Sequence, residues 1–459
     1  MLLSSTSKHR RVNSFYTNKS ILQQNFILPK KDALLSQKTR NTIEFMELKR
    51  VVVTGLGAIT PLGNNVADTW KGLVEGVSGA APITRFDASK FKSTFACEVK
   101  GFDSNAYFGK ENRKMDLFSQ YAIVASDEAI ADSKLDLEKE NKDEIGVIWG
   151  AGIGGIQTFH EGSAEFAIGD GTPRFSPFFI PKLIADIAPG MISIRHGLGG
   201  PNFGTVSACA SSTTAISTAM DLIRLGKAKV IIGGGSEAPL AIPGLGGFTS
   251  MKALSTRNDD PQTASRPFDK NRDGFVMGEG GAALVLEEYE HAIARGAHIY
   301  CEMVGAGYSA DAYHMTAPHP DGDGAARVMA AALKDANLEP KDIDYINVHG
   351  TSTPQGDKGE VKAILKVFGD DAYKLNISST KSMTGHLLGA TGALESIVCV
   401  KAIETGIVPP TINHFEDDPE IDNKLNFTFN KAQKRTVKAA VSNTFGFGGH
   451  NASVVFKAL

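Results

Sequence analysis

The stretch that decides both fold and chemistry is Val206-Ser207-Ala208-Cys209-Ala210-Ser211-Ser212, where a strand pattern ends and a helix pattern begins. The strand pattern covers residues 203–206, and small and apolar residues recur at helical spacing over 211–225. Cys209 is therefore expected at the N-terminal end of a helix. Unpaired backbone N–H groups and the positive end of the helix dipole favour a thiolate there. The pattern predicts an ionised nucleophile.

Two histidines stand at the ends of other strand-like runs. His349 opens His349-Gly350-Thr351-Ser352-Thr353, and His386 closes Lys381-Ser382-Met383-Thr384-Gly385-His386. A cysteine among small residues is usually a packed core residue, and a single histidine after a strand is usually structural. Because the three segments occur together, we interpret Cys209, His349 and His386 as a nucleophilic site for thioester chemistry.

Composition excludes several other classes of protein. The 459 residues carry a net charge of −3, so no global basic field indicates nucleic-acid binding. The four cysteines are widely scattered and fit neither a disulfide framework nor a zinc spacing. No run of about 18 apolar residues occurs, which argues against a membrane span. With 42% hydrophobic residues, the chain can form a substantial core.

The first 45 residues differ from the rest of the chain. They contain eight Lys/Arg and only two acids, whereas residues 46–459 carry a net charge of −9. We predict that residues 1–46 are a disordered basic extension. The extension is either an organelle transit peptide over 1–45 or translated upstream sequence, with Met46 as the true start. We favour the second, and hence a bacterial cytoplasmic protein, because residues 46–50 are typical of the opening of a bacterial enzyme.

From residue 48 onward, short apolar runs alternate with helix-period stretches. The predicted strands are 50–55, 144–149, 203–206, 230–233, 282–287, 300–305, 345–348, 375–378, 425–430, 436–442 and 452–457. The predicted helices are 119–132, 211–225, 324–336 and 392–405. Strands separated by helices predict α/β layering. In each half a strand leads to a reactive residue, Cys209 or His386, and then to a small-residue helix, which indicates an internal duplication.

One glycine-rich segment has two interpretations. Residues 150–155 follow a strand and match the dinucleotide-binding pattern G-x-G-x-x-G, with Asp170 at about the expected distance. Asp170, however, falls in Gly169-Asp170-Gly171-Thr172-Pro173, which is typical of a loop rather than of a strand end. We therefore expect no nucleotide site there.

Four further segments complete the pattern: Val51-Val52-Val53-Thr54-Gly55-Leu56-Gly57, residues 265–275, Asp311-Ala312-Tyr313-His314-Met315-Thr316, and Asn443-Thr444-Phe445-Gly446-Phe447-Gly448-Gly449. Together with the Cys209, His349 and His386 segments, they resemble the β-ketoacyl-acyl carrier protein synthases, the type II condensing enzymes of bacterial fatty acid synthesis. The resemblance covers nearly all of residues 47–459.

The resemblance implies a thiolase-like, five-layered α-β-α-β-α fold built from two duplicated halves. The expected boundaries place the nucleophile in an N-terminal half, residues 47–298, and the catalytic histidines in a C-terminal half, residues 299–459. It also implies a homodimer and no partner among nucleic acids or membranes.

The resemblance further implies an acyltransferase that elongates fatty acids. In a decarboxylative Claisen condensation, malonyl-acyl carrier protein would react with an acyl group held as a thioester on Cys209, giving 3-oxoacyl-acyl carrier protein and CO2. His349 and His386 would donate N–H groups to the enolate. The backbone N–H groups of Cys209 and Phe447 would hold the tetrahedral oxyanion.

Supporting roles follow from the same motifs. Lys381 is expected to pair with Glu395 and to orient His386. The expected substrate-binding residues are Ile153 in the acyl pocket, Thr351 and Thr353 on the phosphopantetheine arm, and Phe447 as a gate whose flanking glycines allow movement. The expected basic contacts for an acidic carrier protein are Lys110, Arg113, Lys114, Lys252 and Arg257. No metal and no cofactor are expected, since the phosphopantetheine arm belongs to the carrier protein.

Alternative functions stay open at this point. A type I elongating synthase or a polyketide ketosynthase would share the same three residues. A non-catalytic chain-length partner subunit would keep the fold and lose the nucleophile, so Cys209 argues against it. A degradative thiolase uses a second cysteine as base, and neither Cys301 nor Cys399 stands in such a motif.

Overall fold

The structure is a computed structural model, and it describes residues 48–459. The predicted basic extension, residues 1–46, and the choice between two start sites lie outside the described residues. Within residues 48–459, ten strands form one mixed sheet. They are β1 (Val51–Ile59), β2 (Ile145–Gly150), β3 (Asn202–Thr205), β4 (Val230–Glu237), β5 (Gly280–Glu288), β6 (Cys301–Ala310), β7 (Tyr345–Asn347), β8 (Asn376–Ser378), β9 (Ala439–Gly446) and β10 (His450–Lys457).

Helices and short connecting elements surround this sheet. The helices are α1 (Val66–Glu75), α2 (Ser104–Phe108), α3 (Leu117–Ser133), α4 (Ile156–Ile168), α5 (Phe179–Leu183), α6 (Ile187–His196), α7 (Ser211–Arg224), α8 (Ile242–Ser250), α9 (Tyr289–Ala294), α10 (Asp323–Asp335), α11 (Pro354–Phe368), α12 (Lys381–Thr384) and α13 (Thr391–Thr405). Two-residue strands pair Ala81–Pro82 with Phe95–Ala96 and Ile407–Val408 with Gln433–Lys434. The 3₁₀ turns are Gly109–Lys114, Lys142–Glu144, Ala208–Ala210, Pro261–Thr263, Pro340–Asp342, Gly369–Lys374 and Leu388–Ala390.

The strand order repeats. The first half of the sheet runs β3-β2-β4-β5-β1, and the second half runs β8-β7-β9-β10-β6. In both halves the first three strands are parallel and the last two join in antiparallel pairs. The halves meet where β1 and β6 pair, Val52 with Glu302 and Val53 with Cys301. The predicted α/β fold from two duplicated halves is confirmed.

Alternating side chains divide the interior into layers. On β2, Val147 and Trp149 point into a cluster with α3, whereas Ile148 points into a central cluster that contains α7 and α13 residues. This is the two-residue alternation of a sheet that is buried on both faces. On the other half-sheet, Ile346 and Val441 join a third cluster with α10 and α11. The resulting order is helix, half-sheet, two central helices, half-sheet, helices.

Most sequence predictions of strands and helices find a counterpart, but one predicted strand is wrong. Residues 425–430 form only isolated bridges, Asn376 with Asn426 and Thr411 with Phe429. The physical reason is backbone conformation: Thr428 and Asn430 have φ of 52° and 60°. These left-handed angles interrupt a strand, so the apolar residues of this segment pack as a loop.

No helix in residues 48–459 is long and apolar enough to cross a membrane. The boundary that the sequence predicts at residues 298/299 falls between α9 and β6 and stays a prediction.

Candidate active site

Cys209 lies where the strand-to-helix pattern places it. The chain leaves β3 at Thr205, makes the 3₁₀ turn Ala208–Ala210, and enters α7 at Ser211. Ala208 has φ of 52°, a strained conformation for a residue with a Cβ, and this sharp turn brings Cys209 to the floor of a cavity. Cys209 as a whole is 8% exposed.

The two predicted histidines meet Cys209 across this cavity floor. His386 Nε2 lies 3.1 Å from Cys209 Sγ. The sulfur and one nitrogen from each histidine all lie within 4.8 Å of one another. The His349 and His386 rings are nearly perpendicular, with centroids 5.3 Å apart. The structure therefore brings together three residues that are far apart in sequence.

The protonation state of Cys209 differs from the sequence prediction. Burial raises the pKa of the Cys209 thiol to about 11, although hydrogen bonding from the Phe447 backbone and the charge of Lys381 lower it. The expected resting thiolate is therefore wrong at neutral pH. The cost of burying a charged sulfur outweighs the hydrogen bonds and the Lys381 charge that favour the thiolate.

Both imidazoles are uncharged at neutral pH. Burial lowers the pKa of His349 and of His386 well below the usual value, and the nearby charge of Lys381 lowers both further. A neutral imidazole has one N–H and one lone pair. Each ring can therefore donate a hydrogen bond to a developing anion or accept a proton from a thiol.

A buried ion pair stands behind His386. Lys381 Nζ lies 2.5 Å from Glu395 Oε1, and both side chains are 2% exposed. Burial raises the pKa of Glu395 to about 7, against the opposing charge of Lys381. His386 Nδ1 lies 2.9 Å from Thr391 Oγ1, which fixes the ring. The pairing of Lys381 with Glu395 that the resemblance implied is present in the geometry.

Glu360 and Thr391 are residues that sequence reasoning missed. Glu360, buried on α11, accepts hydrogen bonds from the backbone N–H groups of His349 at 2.9 Å and Gly350 at 2.8 Å. Burial raises its pKa to about 7. An acid in the middle of an amphipathic helix that follows a reactive histidine is the signal that could have found it.

The cavity above Cys209 has a volume of about 460 Å³. Its aromatic wall continues from His386 through Phe275 and Phe248 to Phe447, with successive ring centroids 5.4, 5.5 and 6.2 Å apart. Phe447 is half-buried and has glycines on both sides. A large, mainly apolar wall suits an acyl chain or a thioester arm.

The predicted substrate residues divide into two groups. Thr351, Thr353 and Phe447 line the cavity, and the hydroxyls of the two threonines are 3.0 Å apart. Ile153 does not line this cavity and is 37% exposed. Its placement in an acyl pocket stays a prediction.

Of the five predicted carrier contacts, one lines the cavity. Lys252 is exposed and lines the cavity near Cys209. Lys110, Arg113 and Lys114 are exposed on the 3₁₀ turn after α2 and do not line the cavity. Arg257 is half-buried and donates to the backbone oxygen of Asn271.

The ligand set Cys209, His349 and His386 also matches what a thiophilic metal ion requires. Three donors within 4.8 Å of one another can share one ion. The same donors suit acyl transfer, in which the thiol is the nucleophile and the imidazoles handle a proton and a developing negative charge.

Comparison with known families matches both halves of the chain. The family described as beta-ketoacyl synthase, N-terminal domain, matches residues 48–292, and the family described as beta-ketoacyl synthase, C-terminal domain, matches residues 300–415. A 3-oxoacyl-[acyl-carrier-protein] synthase 2 from Synechocystis sp. is 52% identical over 90% of this chain and 99% of its own length. One of the same name from Staphylococcus aureus is 50% identical over 89% of this chain and 98% of its own.

Solved structures of ketosynthases are also similar to this chain. A beta-ketoacyl synthase from Burkholderia phymatum superimposes with a TM-score of 0.83 at 36% identity, over 90% of this chain and 100% of that one. A type II PKS acyl-carrier protein in complex with its ketosynthase gives a TM-score of 0.81 at 33% identity, with the same coverage.

The protonation state of Cys209 can be tested by alkylation. We expect the rate of iodoacetamide alkylation to rise with pH through the alkaline range toward about pH 11, because the thiolate is the nucleophile. The adduct is located by peptide mass spectrometry, with Cys209→Ser as the control. Burial raises the pKa of Cys97 to about 12 and also raises that of Cys301 and Cys399, so these should stay unmodified. A midpoint near neutrality would contradict this assignment.

Proposed function

The chain belongs to the β-ketoacyl synthase family, and on that premise we propose that it elongates fatty acids. An acyl group held as a thioester on Cys209 condenses with malonyl-acyl carrier protein, and the products are 3-oxoacyl-acyl carrier protein and CO2. The observation that carries this proposal is a buried thiol facing two neutral imidazoles at the floor of one cavity.

The first step is acyl transfer. Cys209 Sγ attacks the thioester carbonyl of the incoming acyl carrier protein, the new C–S bond forms, and the bond to the carrier's sulfur breaks. The proton of the thiol ends on the departing carrier thiol, and His386 Nε2, 3.1 Å from the sulfur, is placed to relay it. The backbone N–H groups of Cys209 and Phe447, which hydrogen-bond toward the sulfur, suit the tetrahedral oxyanion.

The second step joins the two carbons. Malonyl-acyl carrier protein loses CO2, and the enolate oxygen needs hydrogen-bond donors that are already in place. His349 and His386 can supply them as neutral rings. The Thr391 hydroxyl can accept from or donate to His386 Nδ1, so Nε2 can hold either a lone pair or a hydrogen. The carbanion then attacks the acyl carbonyl and Cys209 leaves as a thiolate, which takes up one proton.

Further residues have supporting roles in the proposed function. Burial keeps both imidazoles neutral, and the charge of Lys381 adds to this effect. In the proposed function Lys381, paired with Glu395, also orients His386. Thr351 and Thr353 offer hydroxyls to the phosphopantetheine arm, and Phe447 gates the cavity. We propose that no resident metal or cofactor is needed, because each step has a residue for it. Ile153 is retained as an acyl-pocket residue on the family resemblance alone.

The alternatives are less well supported. The relatives that share about half of this sequence bear the name of the fatty-acid enzyme, whereas the polyketide ketosynthase is 33% identical. The presence of all three site residues argues against a non-catalytic subunit. Both named relatives come from bacteria, which supports a bacterial cytoplasmic location and gives no support to the transit-peptide alternative.

Acyl carrier protein is the proposed partner, and charge supports it. Lys110, Arg113 and Lys114 form an exposed basic run, and Lys252 stands at the cavity. An acidic carrier would be attracted to such residues even though the enzyme carries a net negative charge. Arg257, half-buried, is the weakest member of this set.

A homodimer is also proposed. The edge strand β3 pairs on one side with β2, and its other edge has no strand partner among residues 48–459. Phe203 is 40% exposed and Val206 is 66% exposed, beside other large apolar side chains at the surface. The apolar residues exposed on or between α4, α5 and α6 are Phe159, Phe166, Ile168, Phe175, Phe178, Ile180, Ile184 and Ile194. An open apolar edge of this size favours pairing with a second copy.

Replacing the site residues separates the two steps. Cys209→Ala should form no acyl adduct and no product, because the acyl group has no acceptor. His349→Ala and His386→Ala should lower condensation by about 10²–10³-fold, the cost of an oxyanion donor, and still acylate Cys209, more slowly in the His386 variant. Intact-protein mass spectrometry reports the adduct, and CO2 release reports decarboxylation. Normal decarboxylation without acylation in both histidine variants would reverse the assigned roles.

Reversing charges tests the carrier patch. Changing Lys110, Arg113 and Lys114 together to Glu should weaken carrier binding by on the order of tenfold at low salt. The difference in carrier affinity between the variant and the wild type should become smaller at high salt, because exposed charges are screened. Titration calorimetry measures the affinity, and Lys139→Glu, a reversal at a side chain that is 82% exposed, is the control. Equal affinity for patch variant and wild type at low salt would remove these residues from the interface.

The dimer has its own test. Val206→Arg should shift the protein toward a monomer, since a charge would be buried at the paired edge. The matched control is Ile293→Arg on α9, which contacts β1 and β5 at the far side of the half-sheet from β3 and is 52% exposed. Light scattering coupled to size exclusion measures the mass. A wild-type monomer, or a Val206→Arg dimer of unchanged stability, would contradict this interface.

A further inference from the structure

Glu237, at the end of β4, is a fully buried carboxylate without a cationic partner among the described residues. Four backbone N–H groups donate to it instead. Gly152 N at 2.6 Å and Gly389 N at 3.0 Å bind Oε2, and Ile153 N and Gly154 N, both at 3.1 Å, bind Oε1. A carboxylate that receives four backbone donors holds their segments in one fixed arrangement.

The segments that Glu237 joins adjoin the reacting residues. Gly389 follows His386 by three residues and belongs to the 3₁₀ turn that enters α13. The turn that contains Gly152 packs on Ala208, the residue before Cys209: a Cβ on Gly152 would lie 3.3 Å from the Ala208 carbonyl oxygen. One carboxylate thus connects the chain beside the nucleophile to the chain beside its imidazole partner.

The packing around Glu237 leaves no room for adjustment. A Cβ on Gly389 would lie 2.3 Å from Gly152 N and 2.6 Å from Glu237 Oε2. The two glycines therefore let two backbones and a carboxylate come into direct contact. Any loss of the carboxylate would leave buried N–H groups without acceptors.

We propose that Glu237 is a positioning residue, which holds the Gly152–Gly154 turn against Gly389 and thereby sets Cys209 and His386 at their working separation. The part of this inference that concerns turnover rests on the proposed function. The geometric part does not, since these contacts join the segments that carry Cys209 and His386 whatever reaction the site performs.

The test compares two buried carboxylates. Glu237→Gln keeps the shape but turns an amide N–H₂ toward N–H donors. Glu287→Gln is the control: Glu287 is fully buried with Thr54, His291 and Arg295 as partners, and it pairs with Val230 at the opposite end of β4. We expect Glu237→Gln to lower condensation by on the order of 100-fold, the cost of misplacing reacting groups by about 1 Å. Glu287→Gln should condense at the wild-type rate.

Alkylation gives a second readout that needs no carrier protein. The negative charge of Glu237 raises the pKa of Cys209, so Glu237→Gln should move the pH midpoint of iodoacetamide alkylation downward, and Glu287→Gln should not move it. Gly389→Ala keeps the charge and disturbs only the contact. Gly389→Ala should slow condensation, and it should move the pH midpoint of alkylation less than Glu237→Gln does.

The outcomes separate the two proposals. If wild-type enzyme does not condense, the proposed function fails, and the alkylation of Gly389→Ala, which keeps the charge of Glu237, decides the positioning role: an alkylation rate and midpoint equal to those of the wild type overturn it. Wild-type condensation in Glu237→Gln overturns the positioning role whatever its alkylation midpoint, because loss of the charge alone lowers that midpoint. Thermal unfolding checks the fold of each variant. If Glu237→Gln and Gly389→Ala both fail to fold while Glu287→Gln folds, Glu237 is a residue of the fold rather than of the site, and the inference is overturned.

Discussion

The site depends on the contact between a buried thiol and a buried neutral imidazole. Desolvation acts on the two groups in opposite senses, because it raises the pKa of Cys209 and lowers that of His386. Both groups are therefore uncharged at rest, and they lie 3.1 Å apart. A neutral pair can be buried at little cost, whereas a thiolate and an imidazolium could not. In the proposed function, ionisation is therefore deferred to the moment when the substrate's thioester can take up the electrons of the sulfur.

The duplicated fold explains why the two groups can meet. The 3₁₀ turn Ala208–Ala210 leads into α7, and the turn Leu388–Ala390 leads into α13. Both turns begin with a residue in the left-handed region, Ala208 at 52° and Leu388 at 48°. Cys209 occupies the middle of one turn and Gly389 the middle of the other. The first half supplies the thiol, the second half supplies both imidazoles, and the site lies where the two central helices start.

Local patterns predicted the fold class and the three central residues, because strand-to-helix transitions and motif segments are local in sequence. The strand predicted at 425–430 failed at Thr428, since a left-handed residue is not visible in an apolar run. The protonated state of the Cys209 thiol and the partners Glu360 and Thr391 were also not predicted from the sequence. Each depends on how deeply a group is buried or on which distant backbone it contacts. Glu360, for example, accepts a hydrogen bond from the His349 N–H. Such properties appear only once the chain is folded.

The buried charges of Glu395 and Lys381 together influence the protonation of the two imidazoles. A lone Lys381 in this interior would be costly, and Glu395 at 2.5 Å offsets that cost. Burial lowers the pKa of both His349 and His386, and the charge of Lys381 lowers it further, so that neither ring captures a proton that would block it as a donor or acceptor. Glu360 is held protonatable near neutrality by burial and is bound to the backbone of His349 and Gly350 rather than to its ring. The carboxylates of Glu395 and Glu360 therefore fix position and balance charge. Glu360 also lines the cavity, but both of its oxygens accept backbone hydrogen bonds, which leaves Cys209 and the two imidazoles as the groups placed for proton transfer.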